Sequence, residues 1–425
     1  MKRLRIGLLG LGQVGSGVYS ILRSKAPLLA RKDGIHLSID RVAVKHRFKR
    51  RLVSLAWGRL TTDARKLVSD PKIDVVVELI GGIHPAKELI LKALRSGKDV
   101  VTANKALLAE HGREIFGEAK RRGRRVFFEA SVGGGIPVIK VLREGLAANR
   151  IHSIYSIING TSNYILTKMS EEHLDFKDAL SLAQKKGYAE ADPRLDIEGI
   201  DAAHKLTILA SLVFGGWVRF EDVYVAGISR IRSEDISFAE EFGYTIKLLA
   251  VAKKTPDGIE AHVQPSLVPK SHMLANVRDA YNAVLMQGDE VGDLLLYGRG
   301  AGSRPTGSAV VSDLVDLART AGDDRMFQPE LRPLRIRKIS TVLSRYYLRF
   351  HVIDRPGVLA RISQVLGRQG ISISDVIQKE RRIGSVVPLI LLTHGAEEHL
   401  ARRAVQAIDR LAVVRGKTQV LRIEK

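Results

Sequence analysis

Between residues 4 and 130, short apolar runs alternate with stretches in which apolar residues recur at helical spacing. "LRIGLLG" (4–10), "RVAVK" (41–45), "IDVVVELI" (73–80), "DVVTANK" (99–105) and "RRVFFEA" (124–130) predict strands, while "HPAKELILKALRSG" and "LLAEHGREIFGEAKRRG" predict helices that stop at glycine. Alternating strand and helix predict an α/β, Rossmann-type doubly wound parallel sheet. After "SVGGGIP" (131–137) the pattern shifts to helices at 137–149, 174–186 and 199–214. These are mixed with strands near 150–158, 224–229, 246–253, 258–268, 281–287 and 293–298, which predicts a central α+β domain on a mixed sheet. A glycine-rich turn, "YGRGAGSRPTGS" (297–308), leads into the apolar run "AVVSDLVDLART", a helix near 305–321 expected to return to the first domain. "YYLRFHVID", "PGVLARISQVLGRQG", "ISISDVIQKE", "SVVPLILLTH", "AEEHLARRAVQAIDRL" and "VVRGKTQVLRI" then spell βαββαβ, a ferredoxin-like module. The expected domains are 1–134 with the helix near 305–321, 135–304, a linker at 322–345, and 346–425.

Composition narrows the classes. The 425 residues are 45% hydrophobic, enough for a large core in two or three domains. The longest apolar runs fall short of the roughly 18–20 residues a membrane helix needs. The opening "MKRLRIGLLGLGQVGSGV" has the basic-then-apolar order of a signal peptide, but glycines interrupt it, and a first strand running into a turn explains it better. A cytoplasmic protein without a membrane segment is expected. Lys and Arg number 68 against 46 Asp and Glu, a formal charge of +22. No compact cluster interleaves basic with aromatic residues, so a solvated basic surface is expected rather than a nucleic-acid face. The chain has no cysteine, hence no disulfides and no thiolate nucleophile.

Gly10, Gly12 and Gly15 form G-x-G-x-x-G, with Gln13 and Val14 between, directly after a predicted strand and opening a helix at 13–23. In that context the glycines let backbone approach a pyrophosphate, and the helix start supplies N–H groups to it. An acidic residue closing the second strand would hold the ribose hydroxyls of NAD. This strand instead runs into "VAVKHRFKRR", and Lys45 and Arg47 point to the extra phosphate of NADP(H), with NAD(H) possible. "VVTANKALLA" (100–109) places Thr102, Asn104 and Lys105 at a strand's carboxyl end, where open α/β sheets bind ligands; position alone leaves Lys105 equally a surface lysine.

"GYAEADPRLDIEGIDAAHKL" (187–206) gathers Glu190, Asp192, Asp196, Glu198 and Asp201 within twelve positions. Asp201 and Lys205 are four apart on a helix whose Ala202, Leu206 and Leu209 face the core, and spacing alone favours an exposed ion pair slightly over a site. "NGTSNYIL" (159–166), close upstream and dense in hydrogen-bonding groups, argues for a small polar ligand's cradle. A nicotinamide enzyme needs a proton donor beside the substrate oxygen, and lysines can serve. Aldehyde oxidation through a thiohemiacetal needs a cysteine, so direct hydride exchange between an alcohol or amine and a carbonyl or imine remains. A carboxylate cluster suits a substrate ammonium group.

These segments, with "GLGQVGSGV", "EASVGGGIPVI" and "GRGAGSRPTGSAVVSDLVD", resemble homoserine dehydrogenase in order over nearly the whole chain. "VIDRPGVLARISQVLGRQGISISDVIQ" (352–378) resembles an ACT domain, a module that typically binds amino acids. The resemblance implies NAD(P)-dependent interconversion of L-homoserine and L-aspartate 4-semialdehyde, on the way to threonine, methionine and isoleucine. It carries proton handling onto Lys105 and Lys205. Glu190, Asp196 and Asp201 would bind the substrate and orient Lys205, and Thr102, Asn104 and Lys105 would line the nicotinamide. It further implies a monovalent cation such as sodium at Glu129 and the backbone oxygens of Val132, Gly134 and Ile136, a homodimer or tetramer, and an amino-acid effector at the ACT domain. At His84 the family usually has an acidic residue. Two rival readings are another NADP-dependent amino-acid oxidoreductase and a nucleotide-sensing regulator that binds nucleic acid.

Overall fold

A computed structural model describes residues 2–320, 329–379 and 384–424. The first part of the expected linker, 322–328, and the end of "ISISDVIQKE" at 380 lie outside the described residues. The chain forms two compact units, Met1–Gly160 with Asp201–Glu221 and Tyr281–Leu334, and Thr161–Ile200 with Asp222–Ala280 and Arg335–Lys425. Among the described residues, no helix is long and apolar enough to cross a membrane.

The first unit holds a six-stranded sheet in which every pairing is parallel. Its strands are Lys2–Leu9, Ile35–Ala43, Leu60–Thr61, Val75–Glu78, Asp99–Thr102 and Val126–Phe127, and the sheet order reverses beside Lys2–Leu9, as in a doubly wound fold. Val75, Val76 and Val77 are fully buried because helices cover both faces, so their run is continuous rather than alternating. Helix Gln13–Asp33 runs ten residues beyond the predicted end at 23. The polar stretch after Leu22 is its exposed continuation, and it tolerates Pro27 until Gly34 closes it at φ 63. Helix Ser303–Arg319 packs against it at small residues: a Cβ on Gly17 would sit 2.1 Å from the Ser303 carbonyl. The core between helices and sheet includes Ile6, Leu8, Val18, Val310 and Leu314. The same unit carries an antiparallel group in which Tyr281–Gly288 pairs with both Ile151–Ile157 and Gly292–Arg299.

In the second unit, hairpin strands Tyr244–Thr255 and Gly258–Pro269 continue into the C-terminal module, because Ser266 and Leu267 pair in parallel with Arg422 and Ile423. The module orders its strands Gln419–Ile423, Leu343–Ile353, Val386–Thr393 and Ile373–Gln378, all antiparallel. Helices Val358–Arg368 and Glu398–Ile408 cover one face over Phe350, Ile362, Leu389 and Ile408. The strand predicted at 224–229 shortens to Tyr224–Val225. Beyond Val225 the chain forms a strap rather than a strand: Ala226 N–H donates to the Val263 carbonyl and Ile228 N–H to the Ile197 carbonyl. Helix Ser233–Glu241 comes next.

Candidate active site

At the end of the first strand, Gly10 takes φ 94 and a Cβ there would lie 2.7 Å from the Leu79 carbonyl. A Cβ on Gly15 would meet the Gly10 carbonyl at 2.4 Å, whereas one on Gly12 would meet nothing within 4 Å. Two of the three glycines thus close the turn, and Gly12 leaves open space at the start of helix Gln13–Asp33, whose first turn has no acidic residue. Val14 packs into the core behind the turn. A cavity of about 1220 Å³ opens here, walled by Gly10, Gly12 and Gln13 and, across it, by Lys45, Lys49 and Arg50. Among the described residues no carboxylate lines it, and His84 stands at its edge with its Nδ1 2.6 Å from Glu88. Arg47 does not line it. Arg51 does, but its guanidinium is turned back on its own loop, donating to the carbonyls of His46, Arg47 (2.9 Å) and Lys49 (2.8 Å). A pyrophosphate-bearing nucleotide fits this wall by shape and charge.

Beside it, Glu78 ends the fourth strand of the chain fully buried. Its carboxylate accepts from the amides of Ile80 (2.9 Å) and Gly81 (3.1 Å) and from the Thr102 hydroxyl (2.6 Å). Burial pushes its pKa up, against the pull of these bonds. Asn104 N–H donates to the Thr102 hydroxyl at 3.0 Å, and its side-chain amide donates to the Gly82 carbonyl at 2.7 Å. Its Oδ1 accepts from Leu107 N–H at 3.1 Å, capping the helix Lys105–Arg122. Thr102 and Asn104 therefore hold the loop and present Lys105 at the first turn. Glu78 could have been singled out in the sequence as the one charge in the buried run "VVVELI".

Lys105 meets the opening of helix Ile200–Val213 at Asp201. That carboxylate is 7% exposed; Lys105 Nζ lies 3.1 Å from Oδ1 and Lys205 Nζ 2.7 Å from Oδ2. Asn159 donates a third bond to Oδ2 at 2.8 Å, and Lys205 also donates to the Ile158 carbonyl at 2.7 Å. Burial disfavours the charged carboxylate, but the charges of Lys205 and Lys105 and the bonds from Lys205 and Asn159 hold it far below the usual range. The exposed ion pair that spacing favoured is thus a buried pair, with Lys205 8% exposed, joined from outside by Lys105, whose side chain is 41% exposed. Sequence reasoning passed over His204, buried behind the triad with Nε2 3.3 Å from Glu110 on the Lys105 helix and its ring 4.5 Å from that of Phe220. Burial lowers its pKa, opposed by Glu110 and Asp201 and assisted by Lys105.

In the second unit, helix Gly160–Glu171 holds the acidic segment by its backbone. The Thr161 hydroxyl donates to the Tyr188 carbonyl (2.7 Å) and the Ser162 hydroxyl to the Asp196 carbonyl (2.9 Å). The two motifs do meet. Glu190 is exposed, Asp196 is half-buried, and Asp192 is paired with Arg194 on the surface at 2.6 Å.

Glu129 is buried, its oxygens accepting from the amides of Ile139 (2.9 Å) and Lys140 (2.7 Å), while its own N–H donates to Asp313 at 2.9 Å. Burial raises Glu129 to about 7 and raises Asp313, where the Glu129 charge adds to the effect. The Ile136 carbonyl already accepts from Val138 N–H at 2.8 Å. Glu129 and Asp313 are thus two buried carboxylates pushed toward protonation in one corner of the first unit. Among the described residues no group of three or more His, Cys, Asp or Glu forms a cage of its own.

The chain matches the family models for "Homoserine dehydrogenase, NAD binding domain" over residues 10–129, "Homoserine dehydrogenase" over 137–315 and "ACT domain" over 346–413. It is 46% identical to the homoserine dehydrogenase of Pseudomonas aeruginosa, covering all of both chains, and 46% identical to that of Neisseria gonorrhoeae, covering 100% of this chain and 99% of the relative. A crystal structure of a homoserine dehydrogenase from Thiobacillus denitrificans superposes with a TM-score of 0.94 at 49% identity, covering 100% of this chain and 99% of the other. A hyperthermophilic archaeal homoserine dehydrogenase in complex with NADPH matches 78% of this chain and all of its own, at a TM-score of 0.62 and 26% identity. With a nucleotide-binding glycine turn, two lysines on a buried carboxylate and full-length likeness in agreement, the chain belongs to the homoserine dehydrogenase family, with an ACT domain toward its C-terminal end.

Proposed function

We propose that this oxidoreductase exchanges hydride directly with L-homoserine or L-aspartate 4-semialdehyde while Lys105 and Lys205 manage the proton on the reacting oxygen. The observation that carries the reading is Asp201, which receives both ammonium groups and is itself buried. The nicotinamide supplies or accepts the hydride at the substrate carbon. In aldehyde reduction, the carbonyl oxygen gains negative charge as its carbon takes the hydride, and a lysine ammonium gives it a proton to complete the alcohol. In the reverse direction the amine takes that proton back. Asp201 keeps both lysines in place and offsets their charge. The likeness of the 187–206 motif to the family assigns Glu190 and Asp196 to the substrate's ammonium and hydroxyl.

Lys45, with Lys49 and Arg50 beside it, supports preference for NADP(H) over NAD(H), since all three wall the cavity and, among the described residues, no carboxylate does. Thr102 and Asn104 act by carrying Lys105 to the nicotinamide edge. A monovalent cation such as sodium is assigned to Glu129 and the carbonyls of Val132, Gly134 and Ile136, supported by the raised pKa of Glu129. The ACT domain is the place for an amino-acid effector. A cytoplasmic homodimer or tetramer, with domain limits near 134, 304 and 345, completes the reading. The test is loss of NADPH absorbance on adding aspartate semialdehyde to the full chain; no turnover at micromolar enzyme overturns it.

A further inference from the structure

The second unit contains a cavity of about 1110 Å³ that the reaction does not use. One wall is the C-terminal module, whose helix Glu398–Ile408 and strands Leu343–Ile353 and Gln419–Ile423 contribute Arg402, Arg349 and Arg422. The other is the strap after Tyr224, with Gly227, Ser229, Arg230 and Arg232. At its depth lie charges that are nearly dehydrated. Arg349 is 3% exposed and paired with Asp235 at 2.6 Å, and Arg422 is 2% exposed and paired with Glu398 at 2.7 Å. The floor is therefore neutral by pairs, and the surplus lies at the rim, on Arg230, Lys417 and Lys177, while Arg232 lies 3.4 Å from Glu234.

Of the twenty-five described residues that line it, seven are Lys or Arg and three are Asp or Glu, and with Asp235 behind Arg349 counted as well the excess is three positive charges. A charge of +22 spread evenly over 425 residues would put about one on such a wall. The nucleotide cavity has a comparable excess of four, from Lys45, Lys49, Arg50 and Arg51. In a concave, partly dehydrated site such an excess attracts multiply charged anions more strongly than a flat surface does.

The strap is also tied to the acidic segment. Ile228 N–H donates to the Ile197 carbonyl at 2.8 Å, and a Cβ on Gly227 would lie 2.3 Å from that carbonyl and 2.5 Å from the Glu198 Cα. Ile197 follows Asp196 directly. The Arg402 guanidinium donates to the Tyr224 hydroxyl at 2.8 Å, joining the module to the short strand that leads into the strap. One element thus touches the cavity on one side and the backbone of the substrate motif on the other.

We propose that this cavity binds a small polyanion carrying two or more phosphate or carboxylate charges, and that its occupancy shifts the 187–198 segment through the Ile228–Ile197 contact. Calorimetric titration of the full chain with inorganic pyrophosphate and, separately, citrate tests the site, with the nicotinamide cofactor saturating so that its own cavity is filled. Saturable binding is expected, weakened at least tenfold by Arg230→Gln with Lys417→Gln and unchanged by Lys120→Gln with Arg124→Gln on the first unit. The tighter probe names the chemistry, phosphate or carboxylate. No saturable binding, or equal weakening in both double variants, overturns the site, the second outcome marking general attraction to a basic protein. With the better probe bound, KM for aspartate semialdehyde is expected to change at least threefold with kcat held. Binding without that change overturns the coupling. The KM readout rests on assigning Asp196 to the substrate, which loss of the KM effect of Asp196→Asn would refute separately, whereas the binding readout does not rest on it.

Discussion

Asp201 and Lys205 stand one helical turn apart with Nζ 2.7 Å from Oδ2, both under a tenth exposed, and Lys105 closes on the other carboxylate oxygen. Lys205→Met keeps the apolar stem and removes the proton donor. Its kcat/KM should fall by about 10²–10⁴ while cofactor affinity, read by fluorescence titration, stays within about twofold. Retained turnover would remove Lys205 from the chemistry.

Asp201→Asn should be worse for the fold than for cofactor binding. It leaves two ammonium groups beside a buried amide, and breaking such a pair costs roughly 3–5 kcal/mol. Denaturant unfolding should show that loss. Because Asp201 is held ionised far below the usual carboxylate range, its contribution to stability should be complete above the unfolded value near 3.8 and be lost progressively as pH falls below that value.

His204→Gln tests whether the clip between the two lysine-bearing helices matters. The folded pKa of His204 lies below its ordinary 6.5, so the unfolded chain takes up this proton first and stability is lost as pH falls through about 6.5. The variant should show a flatter stability profile between about pH 5 and 7, measured by thermal unfolding. Equal slopes in both proteins would show that the ring does not titrate in this way.

Glu129 provides the assay for the cation. Its folded pKa of about 7 against 4.5 means the native state holds the extra proton, so stability falls as pH rises from 4.5 to 7, by roughly 3 kcal/mol at most. Sodium should flatten this fall relative to tetramethylammonium, because a bound cation favours the carboxylate. Glu129→Gln should abolish the difference between salts. Identical profiles in both salts would dispose of the site.

Lys45→Gln with Lys49→Gln should raise KM for NADPH about tenfold or more and leave KM for NADH nearly unchanged. Steady-state kinetics with both cofactors decides; a parallel loss would mean that these lysines act on the pyrophosphate common to both.

The doubly wound class of the first unit and the G-x-G-x-x-G turn were legible because strand, turn and helix there are local, set by apolar period and by Gly10 and Gly15, where a Cβ would clash, whereas the short strand Leu60–Thr61 was not. The C-terminal βαββαβ order was legible for the same reason. Local pattern could not say that the strand Gln419–Ile423 would pair with Gly258–Pro269, since that register is settled by residues more than 150 positions apart. Nor could it say that the residues after Val225 would form a strap: their apolar run resembles a strand, and only the Val263 and Ile197 carbonyls show where its N–H groups go.

By itself the sequence determined the residue types at the site, the cofactor turn, the absence of thiol chemistry and the i, i+4 pairing of Asp201 with Lys205. Tertiary structure alone decided that this pair is buried, that Lys105 completes it from a helix some hundred residues earlier, and that Arg51 is spent on its own loop. Burial and distant pairing depend on which surfaces the folded chain brings together, and neither the spacing of neighbouring residues nor their composition contains that information.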